Sequence, residues 1–265
     1  MKFETLISAV DKDNSLPVVM GVEGNAVMVD QTDRTGEEEI DTEKAHIRIF
    51  RRNERGVGKS RNLALEKAVA DIILFSDEDI RYEEGYAAKV VAAFEEHPEC
   101  DVLFFNVRVC EERRTYHTEK EKKVGYFNLG SYPAYAAAMR REKIVQKGIK
   151  YSLLFGGGAK YSNGEDSLFF MDCVRAGLKL RALPIEIGYE EPRESTWFSG
   201  YHEKFFFDRG VLYHFLYRKL AWLWGARYVI SKRRIMCRDI KPLRAYRILL
   251  KGIREGIRTG EAEQN

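Results

Sequence analysis

The chain has 265 residues, 45% hydrophobic and 32% charged, values that suit a globular α/β chain with a sizeable core and exclude wholesale disorder. Its four cysteines (Cys100, Cys110, Cys173, Cys237) show no C-x-x-C spacing, and no segment reaches the roughly 18 uninterrupted apolar residues of a membrane span. The net charge of +3 hides a split: from Val211 to Asn265 there are 13 Lys/Arg against 4 Asp/Glu, an excess of +9 that leaves the remainder at −6. An acidic body with a basic tail points to two regions with different partners.

In chain order, Thr5 to Val10 reads as a buried strand ended by the turn Asp11 to Asn14, and Asn25 to Asp30 as a second, closed by Gln31-Thr32-Asp33. The span between them, with a proline and two glycines, leaves room for only a reduced helix. His46 to Phe50 is a third strand, Ser60 to Ala70 a helix with Ser60 as its cap, and Asp71 to Ser76 a fourth strand. Glu83 to Glu96 predicts an amphipathic helix and Asp101 to Val109 another β-rich run. Glu111 to Lys123 reads as a charged surface insertion, and a further helix runs on from Ser167 to near Gly177. The segment 189-YEEPRESTWFSGYHEKFF-206 has no clear periodicity and reads as a loop over a site. Strands alternating with helices predict a mostly parallel sheet flanked by helices.

The stretch 55-RGVGKSRN-62 raises a choice. GKS ends a phosphate-binding P-loop, but the first glycine of G-x-x-x-x-G-K-[ST] would fall at position 53, which is Asn53. Carboxylates at several strand ends, with Asp77-Glu78-Asp79 foremost, suit a divalent cation bridging a nucleotide diphosphate better than they line a site for a bare triphosphate. A D-x-D is weak alone, since charged turns after strands are common.

Taken together, LISAV, VDQTD, GVGKSRN before a helix, ILFSDEDIRYEEGY and NGEDSLFF resemble, in order and spacing, a family 2 glycosyltransferase of the GT-A fold, of the type that builds bacterial surface polysaccharides. The resemblance covers roughly Lys2 to Gly210. It implies inverting hexosyl transfer from a nucleotide-sugar, a UDP-sugar in first place, to a saccharide or lipid-linked acceptor, assisted by Mg²⁺ or Mn²⁺. By motif, Ser8, Asp30, Gln31, Lys59, Arg61 and Asp77 would bind the nucleotide, and Asp79 with Asp77 would hold the metal. Glu78 would point away. Asp166 would be the general base, with Glu165 and Trp197 binding the acceptor. Many members carry two aspartates where this chain has Asp30-Gln31. A helix-start lysine, a solvated turn and a core tryptophan are the plain readings of Lys59, Asp77-x-Asp79 and Trp197, and Glu165-Asp166 would favour a helix dipole in any case. A non-catalytic nucleotide-sugar-binding protein and a P-loop phosphotransferase are the competing functions.

The implied organisation is a catalytic domain over 1–210 and a basic amphipathic helical extension over 211–265. In the extension, Leu212, Phe215, Leu216, Leu220, Leu223 and Trp224 recur at helical spacing, followed by Lys232-Arg233-Arg234, Arg238, Lys241, Arg244 and Arg247. Such a pattern favours the surface of an anionic membrane over an apolar face packed on the catalytic domain; nucleic acid is not expected. A cytoplasmic enzyme, peripheral on the inner membrane face, is the implied location.

Overall fold

The first apolar run becomes the strand on which the sheet is centred. In the computed structural model, which describes residues 1–110, 116–192 and 200–262, β1 (Phe3–Val10) is buried at every position but its last. It pairs in parallel with β2 (Gly24–Gln31) on one side and β5 (Ile72–Asp77) on the other. Strands buried on both faces read as continuous apolar runs, which is why these were legible. β4 (Ala45–Arg52) joins β2 in parallel, and β3 (Gly36–Asp41) closes that edge antiparallel to β4. β3, whose sequence is GEEEID, was not expected as a strand; its carboxylates suit an edge that must not recruit another chain.

On the other side of β5 lies β9 (Ala137–Arg140), antiparallel to β5 and to β7 (Val102–Arg108). β10 (Leu180–Glu190) runs parallel to β7, with β6 (Ile80–Tyr82) and β8 (Lys122–Val124) antiparallel to β10. The order is β3-β4-β2-β1-β5-β9-β7-β10-β6, and most of the paired length is parallel. The chain leaves β1 for β2 and β4 on one side and returns to β5 on the other, so a topological switch point lies at the carboxyl ends of β1 and β5.

Of the helices, α1 (Leu16–Met20) is short as expected, and α2 (Val57–Lys67), α3 (Tyr86–Glu96), α4 (Arg141–Gln146) and α5 (Glu165–Arg175) follow. Two helix starts differ from expectation. α2 is capped at Gly56, whose φ of 133° only glycine adopts readily, and Ser60 lies buried inside the helix. α3 begins only after Gly85, whose left-handed φ of 77° interrupts any helical run from Glu83.

The chain divides into two compact units, Met1–Tyr151 with Phe169–Arg193 and Ser152–Leu168 with Glu194–Asn265. The first holds the sheet. The second holds α6 (Glu203–Tyr217), α7 (Ala221–Met236), α8 (Pro242–Ala262) and the glycine-rich loop ahead of α5. The expected boundary at Gly210 falls inside α6. It falls where α6 meets α8 backbone to backbone: a Cβ on Gly210 would lie 2.0 Å from the Leu249 oxygen, and one on Gly252 2.0 Å from the Phe207 oxygen. Only glycines permit that approach. Ala245, Leu249 and Ile253 of α8 are buried, so the apolar face of this helix is spent on packing. Among the described residues no helix is long and apolar enough to cross a membrane.

Candidate active site

In the sheet unit, strand register brings the donor-side candidates together. Ser8 lies opposite Val29 on β2 and Asp77 on β5, while Ala9 and Val10 lie opposite Asp30 and Gln31. Ser8 Oγ accepts a hydrogen bond from Ser60 Oγ at 3.0 Å, which ties the end of β1 to α2. The Lys59 ammonium is exposed and paired with Glu54 at 3.3 Å. Gly58, Lys59 and Ser60 are helical residues, two of them buried, and do not form the phosphate-cradling loop that a P-loop requires.

Asp30 is 1% exposed and accepts from the Lys12 N–H at 3.1 Å. Burial pushes its carboxyl above the ordinary value, opposed by that N–H and by the Arg51 guanidinium at 3.8 Å. Arg51 also binds Glu38 of the edge strand and Asn14. This network, which sequence reasoning missed, fastens the loop after β1; nothing in the local pattern around Arg51 marks it. The Gln31 side-chain oxygen accepts from the Gly56 N–H at 2.6 Å, so that part of the amide is spent on starting α2. A cleft of about 540 Å³, lined by Asp11, Lys12, Asp13, Thr32, Asp33 and Arg34, opens at this end of β1 and β2.

Arg61 is nearly buried. Its guanidinium donates to Asp77 Oδ1 at 2.9 Å and lies over the Tyr151 ring, 5.1 Å from the centroid. Asn62 grips the same tyrosine by its backbone, donating to the Tyr151 carbonyl at 2.9 Å and accepting from its N–H at 2.8 Å. The Arg61-Asn62 pair thus orients Asp77 and fixes Tyr151. Asp77 keeps 29% of its side chain exposed. Asp79, 7% exposed, is held through its carbonyl, which accepts from the Glu191 N–H at 2.8 Å where β6 pairs with β10. Glu78 does not point away from the sheet end. It accepts from the Val10 N–H at 2.8 Å and pairs with Lys12 at 3.4 Å, bracing the turn after β1. Burial raises the Tyr135 phenol pKa, and the charges of Glu190, Asp77 and Asp79, with Tyr116, add to the effect.

Asp77 and Asp79 offer hard carboxylate oxygens on a rigid strand end, a donor set that fits Mg²⁺ or Mn²⁺ provided that ligand phosphates and water supply the rest. Among the described residues, the set of three close metal-ligating side chains is elsewhere, at His97, Glu99 and Cys100; Arg181 already pairs with Glu99 there, at 3.3 Å.

In the helical unit, Glu165 and Asp166 open α5, two residues earlier than expected. Gly156 (φ 103°) and Gly158 (φ 79°) of the glycine run take left-handed conformations. His202 caps α6, its Nδ1 accepting from the Phe205 N–H at 3.3 Å. Trp197 lies outside the described residues, as do the middle of its loop and residues 111–115 of the charged insertion.

The architecture is that of the GT-A fold. Residues 26–150, a little under half of the chain, match the family model described as Glycosyl transferase family 2. No curated protein sequence matches the chain. Among solved structures, residues 1–349 of S. aureus TarS in complex with UDP-GlcNAc superpose with a TM-score of 0.63 at 16% identity, covering 90% of this chain and 74% of that one. The same TarS segment in complex with UDP gives a TM-score of 0.56 at 16% identity, covering 96% and 71%. The longer TarS chain, also at 0.56 and 16%, is covered over 43% of its length by 96% of this one. At that identity the likeness is one of fold.

Proposed function

We propose that the protein is an inverting glycosyltransferase that moves a hexosyl group from a UDP-sugar to a hydroxyl of a saccharide or lipid-linked acceptor in cell-surface polysaccharide assembly. One observation carries the reading: Ser8, Asp30, Asp77 and Asp79 converge on the carboxyl ends of β1, β2 and β5, beside an open cleft, at the switch point where α/β sheets take nucleotides. The family match over 26–150 covers three of these four, and two TarS structures of the same fold hold UDP or UDP-GlcNAc.

In this reading the base lies against Asp30 and Gln31, whose NH₂ would donate to a uracil carbonyl while its oxygen stays on Gly56. Asp77, oriented by Arg61, takes the ribose or the metal shell, and Asp79 is the main metal ligand. Together they would hold a divalent cation, which would supply stabilisation for the charge on the departing diphosphate. Asp166 removes the proton of the attacking acceptor hydroxyl and Glu165 binds the acceptor, two roles that motif position supports, while Trp197 stacks on a sugar face. Lys59 supplies a cation toward the diphosphate.

The membrane contact in the proposal falls on α7. Trp222, Leu223 and Ile230 are each at least half exposed, and the helix carries Arg227, Lys232, Arg233 and Arg234 with no acidic residue. Aromatic and aliphatic side chains among cations suit an anionic lipid surface.

The test is turnover of UDP-glucose, UDP-galactose, UDP-GlcNAc and UDP-GalNAc with Mn²⁺, following UDP release and the anomeric configuration of the product by NMR. Release of UDP with a β-linked product from an α-linked donor is expected. Retained configuration would overturn inversion, and binding without any turnover would support the non-catalytic reading.

A further inference from the structure

Asp208 has no place in the motifs that suggest the reaction, yet it is a buried carboxylate bonded to both a loop and its own helix in the helical unit. It sits in mid-α6, 2% exposed. One oxygen, Oδ2, accepts both the N–H and the hydroxyl of Ser162, each at 3.0 Å, and pairs with Lys204 one turn earlier. The Lys204 ammonium also donates to the Lys160 carbonyl at 3.3 Å. One turn after Asp208, Leu212 fills the space beside Gly164: a Cβ there would lie 2.4 Å from Leu212 Cδ2. Lys204, Asp208 and Leu212, spaced four apart, form one stripe on α6. Together they hold the backbone from Lys160 to Gly164, and Gly164 (φ 114°) makes the bend that starts α5. α8 grips the same loop upstream, with Glu255 3.3 Å from Lys160 Nζ and 3.5 Å from the Tyr161 hydroxyl.

A buried carboxylate is costly unless it is paired and hydrogen-bonded; here Lys204 of the same helix supplies the pair and Ser162 of the restrained loop supplies the hydrogen bonds. Ser162 precedes Glu165 by three residues and Asp166 by four. We infer that Asp208 is a positioning residue: by fixing Ser162 it sets where α5 begins, and with it the placement of the Asp166 carboxylate. The inference rests on the reading of Asp166 as the base.

The experiment compares Asp208→Asn, Asp208→Ala and Asp166→Asn in the full-length protein, well below each variant's Tm. Steady-state UDP release from the same four UDP-sugars is read alongside hydrogen exchange at the amides of residues 162–168. Asp208→Asn keeps the shape but loses the charge and should lower kcat roughly 10-fold; Asp208→Ala should lower it roughly 100-fold, the scale of an ångström's misplacement. KM for the UDP-sugar should stay within about twofold, because the donor residues are on other elements. Exchange at 162–168 should rise in both variants, and more in the alanine one. A merely structural pin would lower Tm and leave kcat unchanged. An inactive Asp166→Asn beside fully active Asp208 variants overturns the positioning role alone, as does unchanged exchange at 162–168. A fully active Asp166→Asn removes the base reading and the positioning role with it.

Discussion

The sheet unit and the helical unit hold their candidate site residues by different means. In the first, backbone register does most of the placing: Ser8 and Asp77 are opposite one another because β1 and β5 pair, and Asp79 is set by the β6–β10 ladder. In the second, the loop leading to Glu165 and Asp166 is held by side chains, namely Asp208, Leu212 and Glu255, and by glycines that let α6 and α8 touch. A strand end inherits its position from many ladder hydrogen bonds, whereas a loop depends on a few buried groups. Substitutions should therefore act locally in the sheet unit and collectively in the helical one.

The largest expected effect bears on chemistry. Asp79→Asn should lower kcat by about 10³-fold with little change in Tm, the scale seen when one preorganised stabiliser of developing charge is lost. Gly252→Val comes next: its side chain would drive into the Phe207 carbonyl, costing about 3 kcal/mol. Thermal unfolding should then show the helical unit melting early while nucleotide binding persists; loss of nucleotide binding in the same variant would break the comparison. Arg61→Met should cost roughly 2 kcal/mol by leaving Asp77 without its guanidinium, and should weaken Mn²⁺-dependent nucleotide binding.

Smaller effects sharpen the same contrast. Burial holds the Asp30 carboxyl above its ordinary value, so the folded state keeps that proton to higher pH than the unfolded chain does. The stability it contributes is full below the unfolded pKa of about 3.9 and falls as pH rises through the folded one. Asp30→Asn should flatten the decline in stability just above about pH 4, as chemical denaturation at stepped pH would show. Lys59→Ala breaks an exposed pair with Glu54 and should change folding stability by less than about 1 kcal/mol.

The sheet unit was readable because its central strands β1, β2 and β5 are largely buried on both faces and polar or acidic residues close them. Thr5 to Val10, Asn25 to Asp30 and His46 to Phe50 each declare themselves as apolar runs closed by turn residues. β3 did not, because an edge strand of glutamates carries no apolar signal. The start of α2 was misplaced because Ser60 resembles a cap, whereas the start depends on Gln31, 25 residues upstream, accepting from Gly56. Glu78 and Arg51 act through partners distant in sequence, which no local period reveals. The helical unit was the least legible. Its repeated apolar residues announced helices, but their periodicity could not tell α8, buried against α6, from α7, whose Trp222 and Leu223 are exposed. Nor could it tie Asp208 to Ser162, 46 positions away.

The most direct test is calorimetric titration of UDP, GDP and ADP, each with and without Mn²⁺, into the wild type and Asp79→Asn. The account predicts Mn²⁺-dependent binding of UDP, weakened at least 10-fold by Asp79→Asn. Tight ADP binding that ignores both Mn²⁺ and Asp79 would contradict it.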